Sequence, residues 1–315
     1  MKMVDVAKLQ KEFEELATTT TSDISAIIKS EVFSKLIVDE AALGRKLAGI
    51  ISAVQEDLQK GDGDTIKVRI FPKISVAQVA EGAANELAAY HPFSSSVTIN
   101  RYSATVPLTG QSIYEASVDL QAKIISRLAD AWAEKMDEVI TQKLDLGAAT
   151  GTNYTPAVKE VLASAGDFSD FYAKLKALVD TMRYSKGLNP DYLIIPKEIK
   201  AQLISDYEDG TKRYAIEVDE NGELKSVYGL KVIVAPFASS DKTPNQVVAV
   251  VLDSSIAVVE ARGKPALFEE KREPEYDIYK EVFNAYWGVD VVKADLDGNS
   301  IAEAIGIGQV VNPEA

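Results

Sequence analysis

Residues 112–147 read SIYEASVDLQAKIISRLADAWAEKMDEVITQKLDLG. Ile113, Leu120, Ile124, Leu128, Ala131, Trp132, Val139 and Leu146 fall on one side of a 3.6-residue helix, and Lys123, Arg127, Asp130, Glu134, Asp137, Glu138 and Asp145 fall on the other. Ser112 and Glu115 have the spacing of a capping box, and Gly147 supplies a left-handed stop. The spacing predicts one helix roughly 50 Å long at 1.5 Å per residue. That exceeds the three turns of a mean helix, so it is expected to act as a spine for other layers. The ladder Leu120, Ile124, Leu128, Trp132, Met136, Ile140, Leu144 drifts around the cylinder, so the two halves are expected to meet different partners. No sustained heptad with charged e and g positions argues for a coiled coil.

On the N-terminal side, residues 4–17, 23–37 and 40–60 read as helical pieces, with a hinge at 18–22 and an apolar surface on Ile24, Ile27, Ile28, Phe33, Leu36 and Ile37. GDGD at 61–64 is a turn cluster, and TIKVRIF after it alternates like a half-exposed strand. Residues 96–108 alternate again, with Val97, Ile99 and Arg101 facing one way and Thr98, Asn100 and Tyr102 the other. Two strands therefore bracket an Ala-rich tip at 72–92. A two-stranded ribbon alone is marginal in water, so this excursion needs another surface, and a second subunit would serve.

On the C-terminal side, 147–156 reads as a loop and 167–185 as a second helix with Asp167 as cap and Gly187 as stop. Its apolar stripe is Phe168, Phe171, Leu175, Leu178, Val179 and Met182. Tyr192–Ile195 reads as a strand, Lys197–Tyr207 as a helix and Asp219–Gly222 as a hairpin turn. GLKVIVAP and QVVAVVLD have the apolar density of a covered sheet. Residues 256–260, 266–271 and 276–294 read as further strands, and the C-terminal GIGQVVNPEA reads as a tail.

Composition narrows the chemistry. The 315 residues are 46% hydrophobic, enough for two cores, and no run reaches the roughly 18 apolar residues of a membrane span. The charged amphipathic N-terminus is unlike a signal peptide, so the chain is expected in a cytosol at synthesis. The absence of cysteine excludes disulfides and thiolate chemistry, and a single histidine excludes multi-histidine metal centres. A net charge of −14 argues against a groove that grips nucleic acid. His91 precedes a proline among apolar neighbours and reads as a packing residue. Asp295, Asp297 and Asn299 begin like a calcium loop, but Ser300 and Gly306 occupy the positions of its glycine and its bidentate Glu. No phosphate-cradling glycine motif occurs. Glu134, Asp137 and Glu138 lie on the wet helix face and read as a solvated stripe. No catalytic residue, cofactor site or metal site is read from these residues.

The order of elements, together with GDGDTIKVRIF (61–71), VAEGAA (79–84), SVTINRYSATVPLTGQSIYEAS (96–117), PDYLIIPKEIKAQL (190–203), YGLKVIVAP (228–236) and VLDSSIAVVEARG (251–263), resembles the Hong Kong 97-type major capsid proteins of tailed viruses over nearly the whole chain. The resemblance implies an α+β fold with an N-terminal arm (1–60), an extended β loop (61–109), a peripheral domain with the spine helix (110–189), an axial domain (190–254), and returning peripheral strands with a tail (255–315). It implies a non-enzymatic protein without cofactor that assembles with itself, as hexamers and pentamers, into an icosahedral shell. That shell would enclose double-stranded DNA without sequence-specific binding, apart from any membrane. Scaffolding, portal and decoration proteins are the further partners it suggests, and the virion capsid, after assembly in the host cytoplasm, the expected location. Arg69, Glu81 and Arg101 are the charges expected at inter-subunit contacts. An encapsulin-type compartment enclosing cargo enzymes is the alternative within the fold. A cytosolic carboxylate-dependent hydrolase is the alternative outside it, and would need two inward-facing acids.

Overall fold

The computed structural model describes residues 37–38, 41, 44–51, 53–55, 65–70, 93–109, 120–209, 215–219, 223–235, 243–263, 266–273, 278–294 and 303–314. In chain order the first strands are β1 (Ala53–Gln55), β2 (Thr65–Ile70), β3 (Phe93–Thr98) and β4 (Asn100–Thr109), followed by helix α1 (Leu120–Lys143). Strand β5 (Thr155–Val161) precedes α2 (Phe171–Asp180), which continues into a π-helical turn at Thr181–Ser185. Then come β6 (Tyr192–Ile195), α3 (Lys197–Glu208), β7 (Ile216–Val218), β8 (Leu224–Val227), β9 (Leu230–Val234) and β10 (Val247–Leu252). The chain closes with β11 (Val258–Arg262), β12 (Leu267–Glu273), β13 (Ile278–Val291), β14 (Lys293–Ala294) and β15 (Glu303–Val311). This is an α+β arrangement.

The chain folds as two compact units. The first comprises Met1–Gly44, Arg101–Glu134 and Lys264–Tyr286, and the second Arg45–Asn100, Lys135–Gly263 and Trp287–Ala315. In the first unit Trp132 of α1 packs between Tyr102 of β4 and Phe283 of β13, with ring centroids 5.3 and 6.0 Å away. Phe268 lies opposite Phe283 in the β12–β13 register and is buried with it. The tilted and edge-on ring geometries are those that aromatic quadrupoles favour.

The second unit is built on an eight-stranded sheet in the order β14-β15-β10-β6-β9-β8-β7, with β5 on the other side of β15. Strand β10, VVAVVL, is buried at every position, as a central strand covered on both faces must be. Helices α2 and α3 share one core cluster with this sheet: Leu175 and Leu178 of α2, Met182 of the π-helical turn and Ile199 and Leu203 of α3 join Leu193, Ile195, Val251 and Val310. Strands β6 and β9 are parallel, and α3 lies within the connection between them. A second sheet has the order β1-β11-β13-β12, with β4 also on β13.

The ladder predicted along α1 is buried from Ile124 to Leu144, but the phase of the flanking positions differs. Ala131 is exposed and Val139 half-buried, while Ile125, Ala129 and Ala133 are buried. The helix also ends four residues before Gly147. Asp145 takes the left-handed conformation (φ 57°), its N–H donates to the Gln142 carbonyl at 3.2 Å, and the Leu146 N–H donates to Thr141 at 3.3 Å. That pair of bonds is a Schellman motif with aspartate at the position usually held by glycine. Gly147 is left-handed as well, but lies beyond the stop. The proposed start at Ser112 falls outside the described residues.

Five other expectations change. The run 40–60 is not one helix: Ala48–Ile50 is a 3-10 turn, and β1 pairs in parallel with Val259–Ala261 of β11. Residues 96–108 form two strands, because β3 pairs with β2 while β4 joins β13. The side-chain phase inverts there: Val97 and Ile99 are buried, Asn100 and Arg101 are both exposed, and Tyr102 turns inward. The loop read at 147–156 ends early, because its last two residues, Thr155 and Pro156, already belong to edge strand β5, where Pro156 lacks a ladder donor. The predicted C-terminal tail, 306–315, begins inside β15 (Glu303–Val311), which lies between β5 and β10 in the largest sheet. At α2 the N-cap is Asp170, without a side-chain capping bond, and Asp167 instead accepts the Ser169 N–H at 3.0 Å. That bond and the Ser169 side chain hold the Asp167 carboxyl below its usual range. The helix read at 4–17, the one read at 23–37 apart from its last residue Ile37, which is helical and buried, the turn at 61–64, His91 and the tip at 72–92 lie outside the described residues.

Candidate functional site

Two kinds of polar feature carry the question of function: the acids on the body of the chain and the charges on the excursion. Among the described acids, several that the sequence placed in solvent are buried. Asp137, read as part of a wet stripe, is 3% exposed, and its carboxylate accepts the Lys46 N–H at 2.9 Å and the Leu47 N–H at 3.2 Å. A surface position on an amphipathic helix becomes a buried one because the chain entering the second unit supplies two backbone donors to it. Glu138, next to it, stays at the surface with Lys135 and Gln142.

Glu260 of β11 is 1% exposed and sits between two guanidinium groups. Arg45 Nη1 donates to Oε2 at 3.0 Å, and Arg262 Nε donates to Oε1 at 2.6 Å. The Arg45 guanidinium also lies 5.8 Å from the centroid of the Trp287 ring, a cation–π distance. A buried carboxylate with a charge-assisted bond to each of its oxygens is compensated structurally.

The end of α1 carries a third buried group. Asp145 accepts the Asn153 backbone N–H at 3.1 Å and the Asn153 side-chain amide. Burial raises its pKa, and the Asn153 bonds and the Lys293 charge oppose the shift without cancelling it. Tyr154 beside it is fully buried, and its hydroxyl donates to the Leu144 carbonyl at 2.8 Å while accepting from Gln309 Nε2 at 2.8 Å. Burial, then the Asp145 charge, pushes that phenol well above its normal range. Thr150 Oγ1 completes the chain of bonds on Gln309 Oε1 at 2.9 Å. The network ties the last helical carbonyl to β15. At the end of β10, Asp253 accepts the Asn189 and Ser255 N–H groups at 2.9 and 3.1 Å.

The hydrogen-bond partners of these acids are backbone and side-chain N–H groups, serine hydroxyls and arginines. The hydrolase alternative required two inward acids; Asp137 and Glu260 are inward, yet both are occupied by bonds within the second unit. Among the described residues no group of three or more His, Asp or Glu side chains is placed to hold a metal ion, and no helix is long and apolar enough to cross a membrane.

On the excursion, β2 and β3 pair over six residues from Thr65↔Thr98 to Ile70↔Phe93, forming a two-stranded sheet of their own. Arg69 stands at the register position opposite Ser94. Arg101 is exposed at the start of β4, and its Nε and Nη2 both donate to Asn284 Oδ1, at 3.2 and 2.8 Å. Glu81 lies outside the described residues. The structure therefore places Arg69 on the β2–β3 ribbon and Arg101 on β4, bonded to Asn284 of β13. The buried acids were not singled out from sequence as anchors, because their donors come from residues about 90 positions away for Asp137 and 215 for Arg45 and Glu260.

Residues 93–298, more than half of the chain, match the family described as phage capsid protein. Among curated proteins none matches the chain in sequence. The capsid structure of the cyanophage P-SCSP1u is similar with a TM-score of 0.60 and 12% identity, over 84% of this chain and 87% of that one. The capsid of a native GTA particle is similar with a TM-score of 0.57 and 13% identity, over 86% and 90%. A structure from Mycobacterium phage Adephagia gives 0.56 and 14%, over 86% and 91%. At such identities the likeness is one of fold, and it spans both units. The chain belongs to the phage capsid protein family and carries the Hong Kong 97-type fold of a tailed-virus major capsid protein, a structural protein of the virion that assembles into a shell.

Proposed function

We propose that copies of this chain form hexamers and pentamers that close into an icosahedral shell around viral double-stranded DNA, in the host cytoplasm. The excursion at 61–109 lies across a neighbouring copy, with Arg69, Glu81 and Arg101 at that contact. The arm at 1–60 precedes it, a peripheral domain at 110–189 and an axial domain at 190–254 follow, and the strands of 255–315 return to the body. The observation that carries this reading is the β2–β3 ribbon, a sheet of two strands. Isolated two-stranded ribbons are marginal in water, so burial against another copy is the natural source of their stability. Each exposed ion pair adds about 0 to 1 kcal/mol, repeated at every interface.

The net charge of −14 supports enclosure of DNA without gripping it, since tight binding of phosphates needs clustered cations. Scaffolding, portal and decoration proteins are the further partners this reading admits. The test replaces residues 72–92 with a short Gly-Ser turn. Circular dichroism is expected to be preserved while closed shells disappear under the electron microscope. Normal shells would sink the assembly role, and a collapsed spectrum would assign the excursion to the subunit's own core. Salt-sensitive DNA binding by the unassembled subunit would count against passive enclosure.

A further inference from the structure

Gly288 stands in β13 opposite Ala261 of β11. It is not among the glycines with positive φ, so its backbone is one that any residue adopts. Its reason for being glycine is space. A Cβ there would lie 2.3 Å from the Thr98 carbonyl oxygen, 3.0 Å from the Thr98 carbonyl carbon and 3.2 Å from the Ile99 Cα. All three atoms are backbone, so no rotamer change relieves the clash. Gly308 differs in kind, since its Cβ would meet side-chain atoms of Met182 and Leu178.

The residues lying over Gly288 are also where the chain changes strand. Strand β3 ends at Thr98 and β4 begins at Asn100. The side-chain phase inverts across the same step, from buried Val97 and Ile99 to inward Tyr102. Strand β3 also packs against β11 and β14, which fixes the crossing from both sides. The root of the β2–β3 ribbon is thus held at backbone contact distance on one Cβ-less position.

We infer that Gly288 is the pivot of the excursion, a positioning residue whose missing Cβ sets the direction in which the β2–β3 ribbon leaves the crossing over β13 and so aims it at a neighbouring copy. The consequence for assembly rests on the proposed cross-subunit role of the excursion; the pivot itself rests on the contact with Thr98 and Ile99. A Cβ would have to lift the crossing by about 1 Å to reach ordinary contact, and a tilt at the root grows along a ribbon about 20 Å long at roughly 3.4 Å per residue.

The chain has no cysteine, so nitroxide labels on the full-length double variant Ser96→Cys, Lys159→Cys report one distance without background. Both positions are exposed and both lie in the second unit. With Gly288→Ala added, the unassembled protein is expected to show a label distance displaced beyond the width of the parent distribution, and the yield of closed shells to fall at least tenfold. Gly306→Ala is the control in the same unit, because its Cβ would meet Ile256 and Ala257 instead; it should leave the label distance in place. An undisplaced distance in Gly288→Ala overturns the pivot. A displaced distance with normal shells leaves the pivot standing and overturns the cross-subunit role. Should Gly288→Ala fail to fold, Ile99→Ala decides: it removes a buried side chain from the crossing without a clash and must broaden the distribution, and an unbroadened one overturns the pivot.

Discussion

Strands β10 and β4 belong to one chain and use their side chains differently. All six residues of β10 are buried, whereas the ten residues of β4 alternate between exposed and half-buried with none fully covered. Strand β10 lies between β6 and β15 with α2 and α3 in the same core cluster. Strand β4 turns Tyr102, Ala104, Val106 and Leu108 inward, and the aromatic contact on that side is Trp132. Among the described residues, the second unit has a continuous apolar core around β10, while the first packs the Tyr102, Trp132 and Phe283 rings beside the buried aliphatic face of α1. For a protein that joins copies of itself, the difference separates what the subunit supplies alone from what it leaves half-covered.

The sharpest way to break that contrast is Trp132→Ala. Removing an indole 8% exposed costs about 3 to 5 kcal/mol at a core position. Hydrogen exchange should show β4 and β12 losing protection while β10 keeps it. Equal loss in both places would mean that the two units unfold as one, and no loss anywhere would place Trp132 outside the core.

Arg45→Ala tests the other unit. It strips Glu260 Oε2 of its partner in a site 1% exposed. Breaking a buried pair costs about 3 to 5 kcal/mol, and the lower end applies because Arg262 keeps Oε1. Urea unfolding should show the loss, now with β10 and β11 losing protection together. Arg45→Lys, which restores charge without the fork, should recover part of it.

The regions that were legible in the sequence are those where pattern and structure share one cause. The α1 ladder, the apolar stripe of α2 and the run VVAVVL are each dictated by burial of their own residues, so periodicity reveals them. Strand β15 was read as a tail because Gly306 and Gly308 interrupt its apolar run. A Cβ at the first would come within 3.2 Å of Ile256 and Ala257, and a Cβ at the second within 3.2 Å of Met182 and Leu178, so neither position has room for a side chain. Glycine in a strand marks a close neighbour, and the neighbour is distant in sequence. Asp137 misled for the same reason. Its position on the helix is that of a solvated acid until Lys46 and Leu47 bring their N–H groups to it. Arg101 was assigned to the side of Val97 and Ile99, and the strand break at Ile99 reverses that phase.

Tyr154→Phe probes a smaller contribution on the self-sufficient side. The variant keeps the ring and removes a hydroxyl that bonds both Leu144 and Gln309. A buried carbonyl and amide left without this partner cost about 1 to 3 kcal/mol. Gln309 Nε2 lies 3.4 Å from the same carbonyl, which favours the lower half of that range. Thermal unfolding at neutral pH measures it, and an unchanged midpoint would show that Gln309 replaces the phenol fully.

Asp145→Asn isolates the smallest effect. Burial raises the folded-state pKa of Asp145, while in the unfolded chain an aspartate titrates near about 3.9. Between those two values the folded state holds more protons than the unfolded one, so this group's contribution to stability rises as pH falls through the folded pKa and levels off below the unfolded one. The readout is therefore the stability of the wild type minus that of Asp145→Asn, measured by urea unfolding from pH 7 down to 4. Asparagine tolerates the left-handed conformation at this position and retains one acceptor for Asn153, so the variant should fold. The difference should climb as pH falls. A flat difference would mean that the Asn153 bonds and the Lys293 charge cancel the desolvation, and a falling one would mean that they outweigh it.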